Sequence, residues 1–182
     1  MAISAEDRAK LVSLARSAVE AAVKGTTPLK PQELSGILAE RRGCFVTLTN
    51  RGRLRGCIGT FQPHGPLGEM IVEMGQAAAR DPRFPMDRIT PAELDELTVE
   101  VSVLSELAET AEPEKLQIGR DGIYIVSPGG AGCFLPEVAT DQNWSAEEFL
   151  SHCCSGKAGL PTNAWRQPQT KVYLFTSEKF DH

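Results

Sequence analysis

No run of about eighteen uninterrupted apolar residues occurs in the chain, so no segment of it reads as a membrane-spanning helix. The five cysteines, Cys44, Cys57, Cys133, Cys153 and Cys154, include no C-x-x-C pair, and the three histidines stand apart at His64, His152 and His182. Structural zinc takes its ligands in closely spaced pairs, because two must come from one tight turn. No metal and no cofactor is therefore expected. A basic excess is missing as well: 19 Lys and Arg stand against 24 Asp and Glu, and the pI is about 5.3. That balance argues against general nucleic-acid binding, and no aromatic residue lies between Arg51 and Ile58 to stack a base. The opening residues, Met1 to Asp7, turn acidic early and lack the charged-then-apolar pattern of a signal peptide. With an odd number of cysteines, this gives the expectation of a cytoplasmic protein with reduced thiols. Internal repeats, low-complexity tracts and long linkers are absent too.

What is present reads as one domain over residues 1–182, with room for two unequal subdomains. A chain of this size buries roughly 70% of its unfolded surface and needs no disulfide or metal to hold together. Ser4 to Asp7 resembles a capping box, and an apolar stripe from Leu11 to Val23 makes a helix that Gly25 stops. Cys44 to Thr49 is β-branched and aromatic, hence a strand. A turn at Asn50-Arg51-Gly52-Arg53 then joins it to Leu54–Gly59 as a hairpin. A two-residue turn and a bulged turn both fit, so the register stays open, and so does whether Phe45 or Val46 faces Cys57. Gly65-Pro66 opens a helix that ends at the corner Asp81-Pro82-Arg83-Phe84-Pro85, where two prolines force extended backbone. Thr90-Pro91 starts a short helix, and Leu97–Leu104 alternates as a half-buried strand with Val99, Val101 and Val103 on one side. Strands follow at 123–126, 133–135 and 171–176, the stretch 127–132 reads as loop, and Ser145 caps another helix. The strands come in hairpins and after irregular corners rather than alternating with helices. The class is α+β, a mainly antiparallel sheet flanked by helices with a smaller second subdomain.

One stretch stands out. Arg41, Arg42, Arg51, Arg53 and Arg55 gather around Cys57, and no acidic residue but Glu69 falls between Arg41 and Met70. On a regular strand Arg55 and Cys57, two apart, project from one face. Guanidinium forks bind carboxylates and phosphates bidentately. Arg53, Arg55 and Arg83 are therefore candidate ligand-binding residues, joined by Gly56 and Gly59, whose missing side chains leave backbone for a ligand to approach. Cys57 is a candidate nucleophile or redox thiol, since a neighbouring guanidinium favours the reactive thiolate. Asp81 and Glu137 are the candidate acid–base partners, and no metal ligand is assigned. The plainer alternatives are that Cys57 fills a strand position as a small hydrophobe, that the arginines are a solvated hairpin end, and that Asp81 caps backbone amides while Arg83 pairs with it.

Several stretches in order also match one family. They are Leu54-Arg55-Gly56-Cys57-Ile58-Gly59, Asp81-Pro82-Arg83-Phe84-Pro85, Glu100-Val101-Ser102-Val103-Leu104, Gly119-Arg120-Asp121-Gly122-Ile123 and Phe134-Leu135-Pro136-Glu137-Val138-Ala139, with Trp144 and Lys157-Ala158-Gly159-Leu160-Pro161 after them. Over roughly residues 5 to 176 the chain resembles the AMMECR-one domain family, and more closely its bacterial branch, the AmmeMemoRadiSam system protein A type. The resemblance implies an α+β domain with two unequal subdomains, a Memo-type partner and a radical S-adenosylmethionine partner. It supplies no reaction, and its suspected functional motif falls on Arg55, Gly56 and Cys57. Two functions follow as expectations. One is a small anionic ligand bound at the Leu54–Gly59 hairpin cleft, with or without Cys57-dependent chemistry. The other is a non-catalytic module that presents the hairpin to a partner.

Overall fold

A computed structural model of the chain describes residues 2–181. In chain order the elements are α1 (Ala5–Lys24), β1 (Cys44–Asn50), β2 (Arg53–Thr60), α2 (Leu67–Ala78), β3 (Leu97–Leu104) and β4 (Ala108–Thr110). There follow β5 (Gly122–Ser127), β6 (Gly130–Phe134), α3 (Pro136–Gln142), α4 (Ala146–Gly156), β7 (Lys171–Phe175) and β8 (Ser177–Asp181). They pack as two compact units, one running to Leu104 and taking in the chain from Glu178, the other spanning Ser105–Ser177. Each unit has its own four-stranded sheet, in the order β2-β1-β3-β8 and β4-β7-β5-β6. The fold is α+β.

In the first unit α1 begins where the Ser4 hydroxyl accepts a hydrogen bond from the Asp7 amide, and stops at Gly25 in the left-handed region. Its stripe Leu11, Leu14, Ala15, Ala18, Val19 is buried, and α2 brings Leu67, Met70, Ile71 and Met74 into the same core. That core meets the sheet through Cys44, Val46 and Leu48 of β1 and Val99, Val101 and Val103 of β3. Period-two alternation then turns Phe45, Thr47, Glu100 and Ser102 to the other face. The turn between β1 and β2 has two residues, Arg51 and Gly52, both with positive φ, which suits the twist of the paired strands. The second unit packs Ile123, Ile125, Phe149, Leu150, Cys153 and Trp165 into a separate core.

Four features depart from the sequence reading. Gly130 and Gly132 belong to β6 rather than to a loop, because the Ala158 carbonyl and amide lie where their Cβ atoms would stand. Pro136 not only ends a strand but opens α3, a seven-residue helix closed by Asn143 in the left-handed region. The tail after Thr176 is β8, an edge strand beside β3. The three-residue β4 pairs with β7. His182 lies outside the described residues.

β2 passes close against the end of α2 at Gly56. A Cβ on Gly56 would stand 2.1 Å from the Ala78 carbonyl oxygen, a backbone atom that cannot swing aside. Gly56→Ala is expected to cost about 1–3 kcal/mol, as overpacking does, measured as a lower urea midpoint with an unchanged slope.

Candidate functional site

The register of β2 decides what the arginines and the thiol can do. Thr47 stands opposite Cys57 and Leu48 opposite Gly56, but Thr49 stands opposite Leu54, so Arg55 is an extra residue with no counterpart on β1. This bulge removes Arg55 from the row of Cys57, contrary to the shared face expected of a regular strand. Its side chain is only 3% exposed. The guanidinium binds the Glu93 carboxylate through Nε and Nη2 at 3.1 and 3.2 Å, and Nη1 reaches the Asp87 carboxylate at 2.9 Å. Arg55 is thus locked to internal carboxylates. Glu93 in turn accepts from the Thr90 amide, closing the capping box that starts the 3-10 turn Pro91–Glu96. That bond, ahead of the Arg55 pairing, keeps its carboxyl below the usual range against the opposing effect of burial.

The residue facing Cys57 is neither Phe45 nor Val46 but Thr47, whose hydroxyl donates to Sγ at 3.2 Å. The Cys57 amide donates outward to Asp81 Oδ2 at 3.0 Å, and its carbonyl accepts from Arg83 Nη2 at 3.1 Å. Asp81, with a fully buried side chain, also binds Arg83 Nη2 at 2.6 Å and the Arg83 amide at 3.0 Å. The pair Asp81–Arg83 therefore stands where a further strand would, satisfying both backbone groups of Cys57 on the open edge of β2. The Arg83 hydrogen bond chiefly, with burial opposing it and the two amides helping, holds the Asp81 carboxyl at about 2. A group so saturated does not serve as a general acid or base near neutrality. Asp81 is an anchor, as the plainer reading had it.

The candidate glycines are covered on the side their Cβ would occupy. Ala78 meets Gly56, and a Cβ on Gly59 would stand 2.2 Å from the Phe45 ring. Neither glycine offers bare backbone on that side; close packing is what requires them. Arg53 pairs with Asp87 at the surface and Arg51 with Glu96. Glu137 lies in the first turn of α3, in the other unit. The first unit thus brings together Arg53, Arg55, Cys57, Asp81 and Arg83, with Gly56 and Gly59 as packing residues.

Beside Arg55, under the 79–89 corner, is a cavity of about 240 Å³ lined among others by Ala79, Phe84, Pro85, Asp87, Arg88 and Ile89. Arg88 is exposed. Arg53, Arg55 and Arg83 each face a carboxylate, but Arg88 makes no ion pair or side-chain hydrogen bond to another described residue.

Matching the chain to known families gives one answer. The model described as AMMECR1 covers residues 12–180. The chain belongs to the AMMECR1 family. A relative from Methanothermobacter thermautotrophicus is 41% identical to this AMMECR1 protein, over 98% of this chain and 95% of its own length. Protein TK0174 from Thermococcus kodakarensis is 45% identical over 94% of this chain and 88% of its own. The crystal structure of uncharacterized protein PH0010 from Pyrococcus horikoshii superimposes with a TM-score of 0.86 at 38% identity, covering 99% of this chain and 93% of that one. These three relatives are archaeal.

Sequence reasoning missed Thr47, Glu93, Asp87 and Arg88. Glu93 carried a signal, the Thr90-x-x-Glu93 capping pattern, whereas Thr47 needed the register. The other four cysteines are poor reagents: burial raises the thiols of Cys133, Cys153 and Cys154 and pushes Cys44 up to about 12. His64 is taken up by Glu73, at 2.9 Å. Among the described residues no cluster of three metal-ligating side chains occurs, and no helix is long and apolar enough to cross a membrane.

A test follows from Asp81. Its folded pKa of about 2 lies below the ordinary value of 3.8. Its contribution is therefore fully present above pH 4 and is lost as pH falls through 2. The shift corresponds to about 2 kcal/mol. Asp81→Asn is expected to lower stability by about 2 kcal/mol at pH 7, with a shallower fall than the wild type between pH 4 and 2, read from urea titrations at each pH.

Proposed function

We propose that this AMMECR1 protein binds a small anionic ligand, a phosphate or a short carboxylate, in the cavity beside the β2 hairpin. Arg88 carries the reading: among the described residues it has no carboxylate partner, and it lines a cavity that already holds the Arg55 guanidinium and Arg80, itself bonded to the Ala22 carbonyl. Ala79, Phe84, Pro85 and Ile89 supply an apolar lining. At about 240 Å³ the space falls below the usual ligand pocket of about 300–1,000 Å³, which fits a compact anion rather than a nucleotide. Arg55 serves as a wall held in place by Glu93 and Asp87. Binding is favoured over stand-alone thiol catalysis because Asp81, the candidate nearest Cys57, is saturated by Arg83 and two backbone amides and does not serve as its base.

The family resemblance supports a finer reading: an AmmeMemoRadiSam system protein A role, in the cytoplasm, alongside a Memo-type protein and a radical S-adenosylmethionine protein. Five cysteines without a disulfide suit a reducing compartment. Copurification from cells with tagged candidates of those two classes tests the partnership, and the absence of both from the eluate counts against it.

Calorimetric titration with inorganic phosphate and with acetate at low ionic strength tests the ligand. One of the two is expected to bind at a single site, about tenfold more weakly in Arg88→Ala and more weakly in high salt. Equal binding by wild type and Arg88→Ala would remove the assignment.

A further inference from the structure

The cavity beside β2 is lined differently at depth and at its rim. Ala79 and Ile89, each only 8% exposed, line it together with the half-buried Phe84. Two polar side chains are equally buried there, Arg55 and Asp81, both 4% exposed, and their polar atoms are already taken. Every nitrogen of Arg55 donates, Nε and Nη2 to Glu93 and Nη1 to the Asp87 carbonyl and carboxylate. Both oxygens of Asp81 accept, from the amides of Cys57 and Arg83 and from the Arg83 guanidinium. Asp87, the other carboxylate of the lining, is held by Arg53 and Arg55. The two lining cations without a carboxylate among the described residues, Arg80 and Arg88, are exposed, and Arg80 gives one nitrogen to the Ala22 carbonyl. Charge free to meet a ligand thus sits at the rim, and the lining left open below it is hydrocarbon.

Phosphate suits such a cavity badly. It carries oxygens on every side, and those turned to Ala79, Phe84 and Ile89 would lose water without gaining a hydrogen bond, which is unfavourable. A carboxylate with a hydrocarbon tail is divided as the lining is. We propose, resting on the anion-binding reading of the same cavity, that its ligand is a short-chain monocarboxylate, with the head on Arg88 at the rim and the tail against Ala79, Phe84 and Ile89. At about 240 Å³, below the usual ligand pocket of about 300–1,000 Å³, the space takes a tail of a few carbons and not a fatty acid. The wall that meets the tail is already in place. The Phe84 amide donates to the Asp81 carbonyl at 3.0 Å. The Arg83 guanidinium lies 5.7 Å from the centroid of the Phe84 ring while it holds Asp81. Binding therefore has little of the corner left to order, and the gain from burying the tail is not spent on fixing it.

The experiment is an NMR titration of the full-length protein, observed at its methyl groups, with acetate, propionate, butyrate, octanoate and inorganic phosphate at one ionic strength. The Ala79 and Ile89 methyl resonances are expected to shift, and affinity to rise about fourfold for each methylene from acetate to butyrate. The gain should stop before octanoate, whose chain leaves the cavity, and phosphate should bind more weakly than butyrate. Phe84→Ala is expected to weaken butyrate about fourfold, the worth of one buried methylene, and to leave acetate unchanged, which separates a lost tail contact from collapse of the corner. Equal affinity for acetate and butyrate, a gain that continues unabated to octanoate, a preference for phosphate, or shifts that leave out Ala79 and Ile89 overturns the short-chain assignment. If Arg88→Ala still weakens acetate or phosphate in that case, the anion site stands without it. Should Phe84→Ala not fold, the chain-length series on wild type decides alone. Binding of none of these anions, or equal binding by wild type and Arg88→Ala, removes the anion site and the short-chain assignment together.

Discussion

The bond from the Cys57 amide to the buried Asp81 carboxylate organises the hairpin end of the first unit. An edge strand presents backbone groups that nothing in its own sheet can satisfy. At Cys57 these are taken by a side-chain ion pair, with Asp81 accepting from the amide and Arg83 donating to the carbonyl. One contact therefore protects the strand edge, pins the proline-bounded corner against β2 and frames the cavity beneath it. The low proton affinity of Asp81 follows from the same geometry, since both its oxygens already accept from fixed donors.

Charge is arranged around that anchor in layers. Arg55 is buried and matched by two carboxylates, Arg53 shares Asp87 with it at the surface, and Arg83 matches Asp81. Arg88 is the member of this group left over at the cavity rim. An acidic chain thus gathers arginines here chiefly to hold its own loops, and the proposed anion site rests on the cations at the cavity that no carboxylate takes up. The plain reading of the cluster as structural applies to Arg53, Arg55 and Arg83, each matched by a carboxylate.

Much of the fold could be read from pattern. The valine alternation of β3, the apolar stripe of α1 and the capping signals at Ser4, Thr90 and Ser145 all stand where periodicity and side-chain chemistry put them. The strands and helix that escaped are short or polar. β4 has three residues, α3 seven, and β8 is the sequence Ser-Glu-Lys-Phe-Asp, where no apolar repeat survives. For the site, the stretch was legible but the partners were not. A single bulge at Arg55 broke the alternation on which its face was read, and a bulge leaves little trace in a strand that already contains two glycines. Thr47 and Arg88 take their places through long-range register and loop closure, which local sequence does not encode, while Glu93 shows locally only as a helix cap.

Backbone amide exchange at Cys57 tests the anchor most directly. In a regular antiparallel pair outward and inward amides alternate, so Cys57 and Gly59 both point away from β1, and only Cys57 is met by Asp81. The account predicts a Cys57 amide as slow to exchange as those of the buried strand β1, beside a Gly59 amide that exchanges freely. Equal, rapid exchange at both positions would contradict it, since the corner would then not be held on β2.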